Sequence, residues 1–184
     1  MSPSPARITP PPIHSVNGFM GIDPGKSGGI VIMYPSENGI HPFDAFIMPP
    51  TEFELWVLMT RLKAVCGNGT IHCCMERVHS MPNEGHKGTF TFGEGFGRLK
   101  MALTAAAIPY ELVEPQRWQK EFSIKPRQKK EPKALLKERC RAMAQQLFPR
   151  SLLWEGTLGS QRAVCDAILL AEYCRRYNTL QLRK

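Results

Sequence analysis

The chain has 184 residues, 42% of them hydrophobic and 22% charged, a composition that allows one domain with a buried core. No apolar stretch approaches the roughly 20 residues that cross a bilayer, so we expect a soluble chain without a membrane partner. The net charge of +8 is uneven: residues 1–97 carry 6 Lys and Arg against 8 Asp and Glu, whereas residues 98–184 carry 18 against 8. The basic second half indicates a polyanionic partner, nucleic acid first of all, with a solvated basic surface as the alternative.

Three short strands are predicted near the start of the chain, after a segment of different character. Residues 1–17 are rich in proline and have no acidic residue, so we expect a disordered tail before a single domain over residues 18–184. Apolar runs separated by turns then predict strands at residues 19–23, 30–34 and 40–48. The turns are too short for crossovers, which favours an antiparallel meander.

The remainder of the sequence predicts alternating helices and strands. Apolar spacing close to 3.6 residues favours helices at residues 52–65, 93–107, 115–118, 132–147 and 162–177. Strands are expected at residues 70–77 and 110–113, and loops at residues 78–92 (Gly-rich and basic) and 124–131 (basic). The prediction is an α/β domain with a five-stranded mixed sheet, three strands antiparallel and two parallel, flanked by helices.

Six cysteines occur without the CxxC spacing of zinc sites, and most lie inside apolar runs. They predict reduced, buried thiols in a reducing compartment: a bacterial or phage-host cytoplasm, or the matrix of a chloroplast or mitochondrion. A zinc site that combines them with His72 or His79 is an alternative. The cysteines are Cys66, Cys73, Cys74, Cys140, Cys165 and Cys174.

Three acidic residues lie where the pattern predicts buried surfaces. Asp23 and Glu76 stand at the ends of two apolar strands, and Asp166 lies on the apolar face of the last helix. A buried carboxylate requires a compensating partner, and a divalent cation shared by several carboxylates supplies one. Two such ions about 3.5–4 Å apart activate a water and stabilise the leaving oxygen in phosphodiester hydrolysis. Separate ion pairs, of Asp23 with Arg77 or of Asp166 with Arg162, are the alternative.

Five stretches of the sequence, in order, carry a family resemblance. Residues 19–25 (FMGIDPG), 75–78 (MERV) and 166–173 (DAILLAEY) resemble the acid-bearing motifs of RuvC-type junction resolvases, which belong to the RNase H-like superfamily. Residues 90–97 (FTFGEGFG) and 108–113 (IPYELV) resemble the branch that contains phage and chloroplast resolvases. The resemblance spans about residues 18–176.

The resemblance implies an RNase H-like fold, a homodimer, and a site with two Mg²⁺ or Mn²⁺ ions. It also implies paired nicks in opposing strands of a four-way (Holliday) DNA junction. By the motif match, Asp23 would bridge both ions, while Glu76 and Asp166 would each hold one. The three acids are therefore candidates both as catalytic residues and as metal ligands.

One position departs from the family pattern. The family has a fourth acid a few residues ahead of the helix aspartate, but here the window reads Gln161-Arg162-Ala163. Gln161 is the neutral counterpart of glutamate, so we take it as the fourth candidate ligand and hypothesise that it is an inactivating replacement. The alternatives are a water or Glu155 in that place, or a family member that binds DNA without cutting it.

Two regions are candidates for contact with DNA. Basic residues before and within the fourth predicted helix would contact phosphates, and the resemblance places a catalytic lysine there, for which Lys133 and Lys130 are candidates. The basic residues are Lys125, Arg127, Lys129, Lys130, Lys133 and Lys137. In the Gly-rich loop, His79, Lys87 and Phe92 would contact a junction. A solvated face, and a core position for Phe92, are the alternatives.

The helix predicted at residues 93–107 is the candidate dimer element. Its apolar residues pack either in the core or against a second copy of the chain, whose two-fold symmetry would match that of a junction. These residues are Phe96, Leu99, Met101, Leu103 and Thr104.

Three other functions are weighed against a resolvase. Sugar-kinase and actin-like ATPases also open with a strand that ends in Asp followed by glycines, but 184 residues are too few for their two domains. A non-catalytic junction binder of the same fold stays open because of Gln161. A nuclease that acts on flaps or on RNA–DNA hybrids also stays open.

Overall fold

A five-stranded sheet covered by helices on both faces forms the described part of the chain. The structure is a computed structural model that describes residues 17–36, 41–78, 85–128, 130–149, 151, 153 and 156–181. The predicted tail, except for residue 17, and the candidates His79, Lys129 and Glu155 lie outside these residues. None of the helices in the described part is long and apolar enough to cross a bilayer.

The sheet has both antiparallel and parallel strand pairs. Its strands are β1 (Gly18–Asp23), β2 (Gly29–Met33), β3 (Phe43–Ile47), β4 (Ile71–Glu76) and β5 (Tyr110–Val113). The helices are α1 (Glu52–Val65), α2 (His86–Ala105), α3 (Pro115–Glu121), α4 (Lys133–Leu147) and α5 (Leu158–Gln181). The strand order is β3-β2-β1-β4-β5, in which β1 pairs antiparallel with β2 and parallel with β4. Because β3 is antiparallel to β2, and β5 parallel to β4, the predicted mixed sheet is confirmed.

Each face of the sheet has its own apolar core. One core lies between the sheet and α3, α4 and α5, with Val31, Cys74 and Ile168 fully enclosed. The other lies between the sheet and α1 and α2, and includes Ile22 and Leu103. All six cysteines are unpaired and buried, as predicted.

The prediction of a Gly-rich loop at residues 78–92 is wrong for residues 86–92, because α2 begins at His86. β-Carbons added at Gly93 and Gly97 would meet nothing within 4 Å, so these glycines are not required by packing within the chain. Glycine costs a helix about 1 kcal/mol relative to alanine, but it does not stop a helix that is already nucleated. In α2 the buried residues, Leu99 among them, lie in the second half of the helix, and their packing stabilises the helix as a whole.

The last helix begins one turn earlier than predicted. The backbone N–H of Ser160 donates to the Thr157 hydroxyl at 3.2 Å, which is a side-chain cap on the first turn of α5. The third helix is also longer than predicted and reaches Glu121. Both differences lie at helix ends, where hydrophobic spacing carries least information.

The close packing of α5 on β1 fixes the geometry of the carboxyl edge of the sheet. A β-carbon at Gly21 would lie 2.1 Å from the carbonyl oxygen of Ala167 and 2.2 Å from the backbone nitrogen of Ala171, so only glycine fits. On β2, a β-carbon at Gly29 would lie 2.9 Å from the carbonyl oxygen of Ala163. Two glycines therefore let the helix backbone rest directly on the strands.

We expect Gly21→Ala to lower the free energy of unfolding by about 2 kcal/mol or more, because the added methyl group overpacks a backbone contact that has no side chain able to move aside. Equilibrium unfolding in guanidinium chloride measures the change. The matched control is Gly88→Ala on α2, where a β-carbon meets nothing within 4 Å and stability should stay equal or rise by up to about 1 kcal/mol. Equal stability of the two variants would contradict the role of Gly21.

Candidate active site

The three acids singled out in the sequence lie together at the carboxyl edge of the sheet. Asp23 ends β1 and Glu76 ends β4, and because these neighbouring strands are parallel, both side chains reach the same edge. Asp166 comes from α5, which packs on β1. Asp23 and Asp166 are buried, and the charges of both act on Glu76. The structure thus brings all three candidates into one electrostatic cluster.

A lysine on α4 holds the two aspartates. The Lys137 ammonium donates to Asp23 Oδ2 at 2.9 Å and to Asp166 Oδ2 at 2.5 Å. The arginines weighed as partners pair elsewhere, Arg77 with Glu114 and Arg162 with Glu138. The aspartates therefore already share one cation, although it is neither a metal ion nor an arginine.

Burial raises the proton affinity of Asp23 and Glu76. Desolvation is the main cause that raises the pKa of Asp23 to about 6; the Lys137 charge opposes it and the Asp166 charge adds to it. Desolvation, joined by the charges of Asp23 and Asp166, raises the pKa of Glu76 to about 8. Burial alone would lower the pKa of Lys137, but the two carboxylates outweigh it and hold this pKa above its usual value. The cluster carries more negative potential than one lysine neutralises.

Two thiols contact the carboxylate of Asp166. Cys165 Sγ donates to Asp166 Oδ1 at 3.3 Å, and Cys140 on α4 also makes a side-chain hydrogen bond to this carboxylate. Desolvation first, and then the charge of Asp166, raise the pKa of both thiols, which keeps them protonated as donors. Asp166 is thus fixed at both oxygens, by the Lys137 ammonium at Oδ2 and by the Cys165 S–H group at Oδ1.

Glu76 is held by an indole. Trp118 Nε1–H on α3 donates to Glu76 Oε1 at 3.1 Å, and the Trp118 side chain is fully buried. This bond stabilises the carboxylate form and lowers the pKa of Glu76 against the effect of burial. Nothing in the spacing of the sequence indicated this contact, since it joins residues 42 positions apart.

Gln161 occupies the first turns of α5 and is buried. Its amide nitrogen donates to the carbonyl oxygen of Gly156 at 2.9 Å, and Arg141 Nη1 donates to its amide oxygen at 3.3 Å. Both ends of the amide therefore have protein partners.

The candidates for DNA contact lie on two sides of the cluster. Lys125, Arg127, Lys130 and Lys133 are exposed in the segment that leads from α3 into α4. The guanidinium of Arg127 donates to the backbone carbonyl of Glu131 at 3.0 Å, which ties this segment together.

On the other side, Lys87 is exposed and Phe92 half-buried on α2. A β-carbon at Gly25 would lie 3.6 Å from the Phe92 ring, so the ring borders the turn that follows Asp23. At Gly25 the φ angle of 131° requires glycine.

The lysine nearest to the acids is not the one that the sequence favoured. Lys133 is exposed on the first turn of α4, whereas Lys137, one turn later on the same helix, contacts both aspartates. From the sequence, Lys137 is expected to contact phosphate only. The i, i+4 spacing of the two lysines was the available signal, because it places both on one helix face.

The donor set suits a hard cation such as Mg²⁺ or Mn²⁺, since all three acids offer carboxylate oxygens. Within the described residues, no three His, Cys, Asp or Glu side chains stand in an arrangement that could hold a metal ion together. The aspartate oxygens that a metal ion would use are bonded to Lys137 instead. The predicted zinc alternative with His72 is absent from the same part of the chain.

The chain is similar in structure to RuvC. No protein-family model and no curated protein sequence matches it. Thermus thermophilus RuvC in complex with a Holliday junction substrate matches 89% of this chain and 96% of its own, with a TM-score of 0.53 and 13% identity. A second T. thermophilus RuvC structure matches 89% of this chain and 97% of its own, with a TM-score of 0.54 and 14% identity. At these identities the likeness shows the fold, which is the predicted RNase H-like one.

In buffers with EDTA, we expect the melting temperature to fall as pH rises from 5 to 8. Glu76 binds a proton more tightly in the folded state (pKa about 8) than in an unfolded chain (about 4.5), so its contribution to stability is present at low pH and is lost as pH approaches 8. Glu76→Gln should remove most of the fall above pH 6, measured by thermal unfolding at each pH. Glu94→Gln, at an exposed position on α2, is the control and should keep the wild-type profile. An unchanged profile in Glu76→Gln would contradict the raised pKa.

Proposed function

We propose that the chain is a divalent-metal-dependent endonuclease that resolves four-way DNA junctions. The observation that carries the proposal is the cluster at the sheet edge, where Asp23 and Asp166 share one cation and Glu76 lies beside them. A stability role alone would not explain three acids with so little charge compensation at the edge of the sheet. The RuvC-like fold and the basic segment before α4 support the same reaction class.

Asp23, Glu76 and Asp166 would hold the metal ions. Bound Mg²⁺ or Mn²⁺ would lower the pKa of a water and stabilise the leaving oxygen of the phosphodiester. The packing of α5 on β1 fixes the carboxylates of Asp23 and Asp166. These two carboxylates would therefore set the direction from which a metal ion approaches. The raised pKa of Glu76 means that cation binding competes with a proton at this residue.

Lys137 has two functions in this proposal. Without divalent ions its ammonium compensates the aspartates, which keeps the site folded. With metal ions bound, the same ammonium would lie close to a phosphate held at Asp23 and Asp166 and would stabilise its developing negative charge. We therefore assign the catalytic lysine to position 137 in preference to Lys133.

DNA would approach along the basic residues that precede α4. Three of them, Lys125, Arg127 and Lys130, are exposed, as is Lys133 at the start of α4. The Glu131–Arg139 ion pair, with contacts of 2.6 and 2.8 Å, anchors the segment to α4. On the opposite side, Lys87 and Phe92 would contact the branch point, with the exposed Phe90 ring as a stacking surface. The sequences at residues 90–97 and 108–113 support a place in the branch with phage and chloroplast resolvases.

We propose that two copies of the chain act together as a homodimer. On α2, Leu99 and Leu103 are buried in the core, while Met101 is 63% exposed and Thr104 is exposed on another face of the helix. That exposed face is available to a second copy, and a two-fold dimer would present two sites to opposing strands of a junction.

A second function, junction binding without cleavage, is favoured by two specific observations. Gln161 is neutral where the family has an acid, and Lys137 occupies the aspartate oxygens. Metal-dependent cleavage separates the two functions. The comparison of a junction with a flap and an RNA–DNA hybrid separates a resolvase from other nucleases.

The central experiment is cleavage of a synthetic four-way junction with Mg²⁺ or Mn²⁺. We expect symmetrical paired nicks, and a loss of rate of at least about 100-fold in Asp23→Asn, because this residue organises both ions. Asp44→Asn, which changes an exposed acid on β3, is the control and should keep the wild-type rate. Mixed preparations of wild type and Asp23→Asn should nick one strand if the dimer has two independent sites. Tight junction binding without nicks would support the second function, binding without cleavage. Faster cleavage of flaps or of RNA–DNA hybrids would overturn the resolvase assignment.

If Gln161 replaces a carboxylate ligand, Gln161→Glu increases the cleavage rate, by about 10-fold or more on the scale of metal-shell changes. Gln145→Glu on α4, near the same Arg141, controls for the added negative charge. An unchanged rate would mean that Arg141 takes up the new carboxylate, and the hypothesis of an inactivating replacement would be wrong.

The basic segment makes a prediction about salt. Lys130→Gln should reduce the slope of log affinity for a junction against log salt by about one, because one phosphate contact and its released counterion are lost. Lys63→Gln is the control, since Lys63 lies near the start of β4, at the opposite edge of the sheet, where it donates to Gly69. Equal slopes for wild type and Lys130→Gln would remove Lys130 from the interface.

A further inference from the structure

We propose that Trp118 is a positioning residue that fixes the carboxylate of Glu76 at the edge of the sheet, from where it can serve as a metal ligand, an inference that rests on the metal-dependent function proposed above. Its indole N–H donates to Glu76 Oε1 at 3.1 Å. Trp118 is among the largest fully buried side chains of the described residues, so water does not compete for this bond.

The position of the indole is fixed by its helix. The helix α3 starts at Pro115, two residues after β5 ends, and the N–H of Arg77 donates to the Val113 carbonyl at 2.7 Å. The strand that carries Glu76 and the helix that carries Trp118 are therefore linked immediately beyond the sheet edge. At the far end of α3, Ile124 is buried in the same core as Trp118, and the basic segment follows directly. The helix that carries the donor thus connects β5, the neighbour of the strand that ends in Glu76, to the basic segment.

Each of the other two acids is held by a charged donor, and Asp166 by thiols as well. Asp23 has Lys137, and Asp166 has Lys137 and two thiols. Glu76, by contrast, accepts a hydrogen bond from the neutral Trp118 indole. A neutral donor orients a carboxylate without cancelling its charge, which leaves that charge for a cation.

A purely structural role predicts something different. A buried indole needs a hydrogen-bond partner in any protein, and in that case Trp118→Phe would cost stability through lost packing and nothing more. A positioning role predicts a loss of metal affinity beyond the loss of stability, since partners of metal ligands typically contribute 10–100-fold to affinity or activity.

The test is calorimetric titration of Mn²⁺ into the full chain in the absence of DNA. We expect Trp118→Phe to weaken Mn²⁺ binding by about 10-fold or more. The matched control is Phe122→Leu, which removes buried aromatic volume next to the same helix without removing a donor. It should lose comparable stability, measured by thermal unfolding, and keep its Mn²⁺ affinity within about 2-fold.

A second measurement leaves the side chain intact. In the ¹⁵N–¹H spectrum, the indole signal of Trp118, assigned by its absence in Trp118→Phe, should shift when Mg²⁺ is added. The signal of Trp56, which is 46% exposed on α1, serves as the internal reference and should not shift. In Glu76→Gln, Mg²⁺ should leave the Trp118 signal in place.

The outcomes separate the two proposals. If wild type binds Mn²⁺ and both variants bind it equally well, or if the Trp118 signal ignores Mg²⁺, the positioning role is wrong while the metal-dependent function stands. If folded wild type binds no Mn²⁺ at all, the proposed metal-dependent function fails, and the role of Trp118 fails with it. Weak binding in Trp118→Phe alone, together with the Mg²⁺ shift in wild type, supports the positioning role.

Discussion

The contact between the backbone of α5 and the backbone of β1 is the constraint on which the rest of the site depends. At Gly21 the two chains approach so closely that even a methyl group would lie about 2 Å from main-chain atoms of Ala167 and Ala171. This approach places Asp166, the residue before Ala167, beside the strand that ends in Asp23. Two carboxylates then stand together in a poorly solvated place, which is unfavourable unless a cation joins them.

The surrounding helices α4 and α3 compensate that unfavourable charge with different side chains. The helix α4 contributes the Lys137 ammonium and a thiol, and α3 contributes a neutral indole for Glu76. Three carboxylates face one ammonium, and burial first, then the neighbouring carboxylates, raise the pKa values of Asp23 and Glu76. A site with surplus negative potential and hard oxygen donors is suited to exchange its internal lysine contact for divalent ions.

The sequence predicted the sheet and the three acids because both leave local signals. Alternating apolar runs and short turns define strands, and an acid that interrupts an apolar surface is conspicuous, as Asp166 is on α5. Contacts between distant segments leave no such signal. Whether Lys137 or Lys133 reaches the aspartates depends on how α4 packs against the rest of the domain. The hydrogen bond from Trp118 to Glu76 depends in the same way on the packing of α3. The sequence does not predict the start of α2 at His86, because the glycines in this part of the chain are typical of a loop, whereas the helix continues through them.

The wide spacing of the cluster along the chain has a consequence for the order of folding. The aspartates belong to β1 and α5, so they lie near opposite ends of the domain, and Lys137 is 114 residues from Asp23. Joining segments so far apart in the sequence costs loop-closure entropy, which the packing of α5 on the sheet has to offset. A nascent chain that still lacks α5, or an unfolded one, therefore has the acids but not the cluster. Whatever chemistry the cluster performs is therefore withheld until the whole domain has folded.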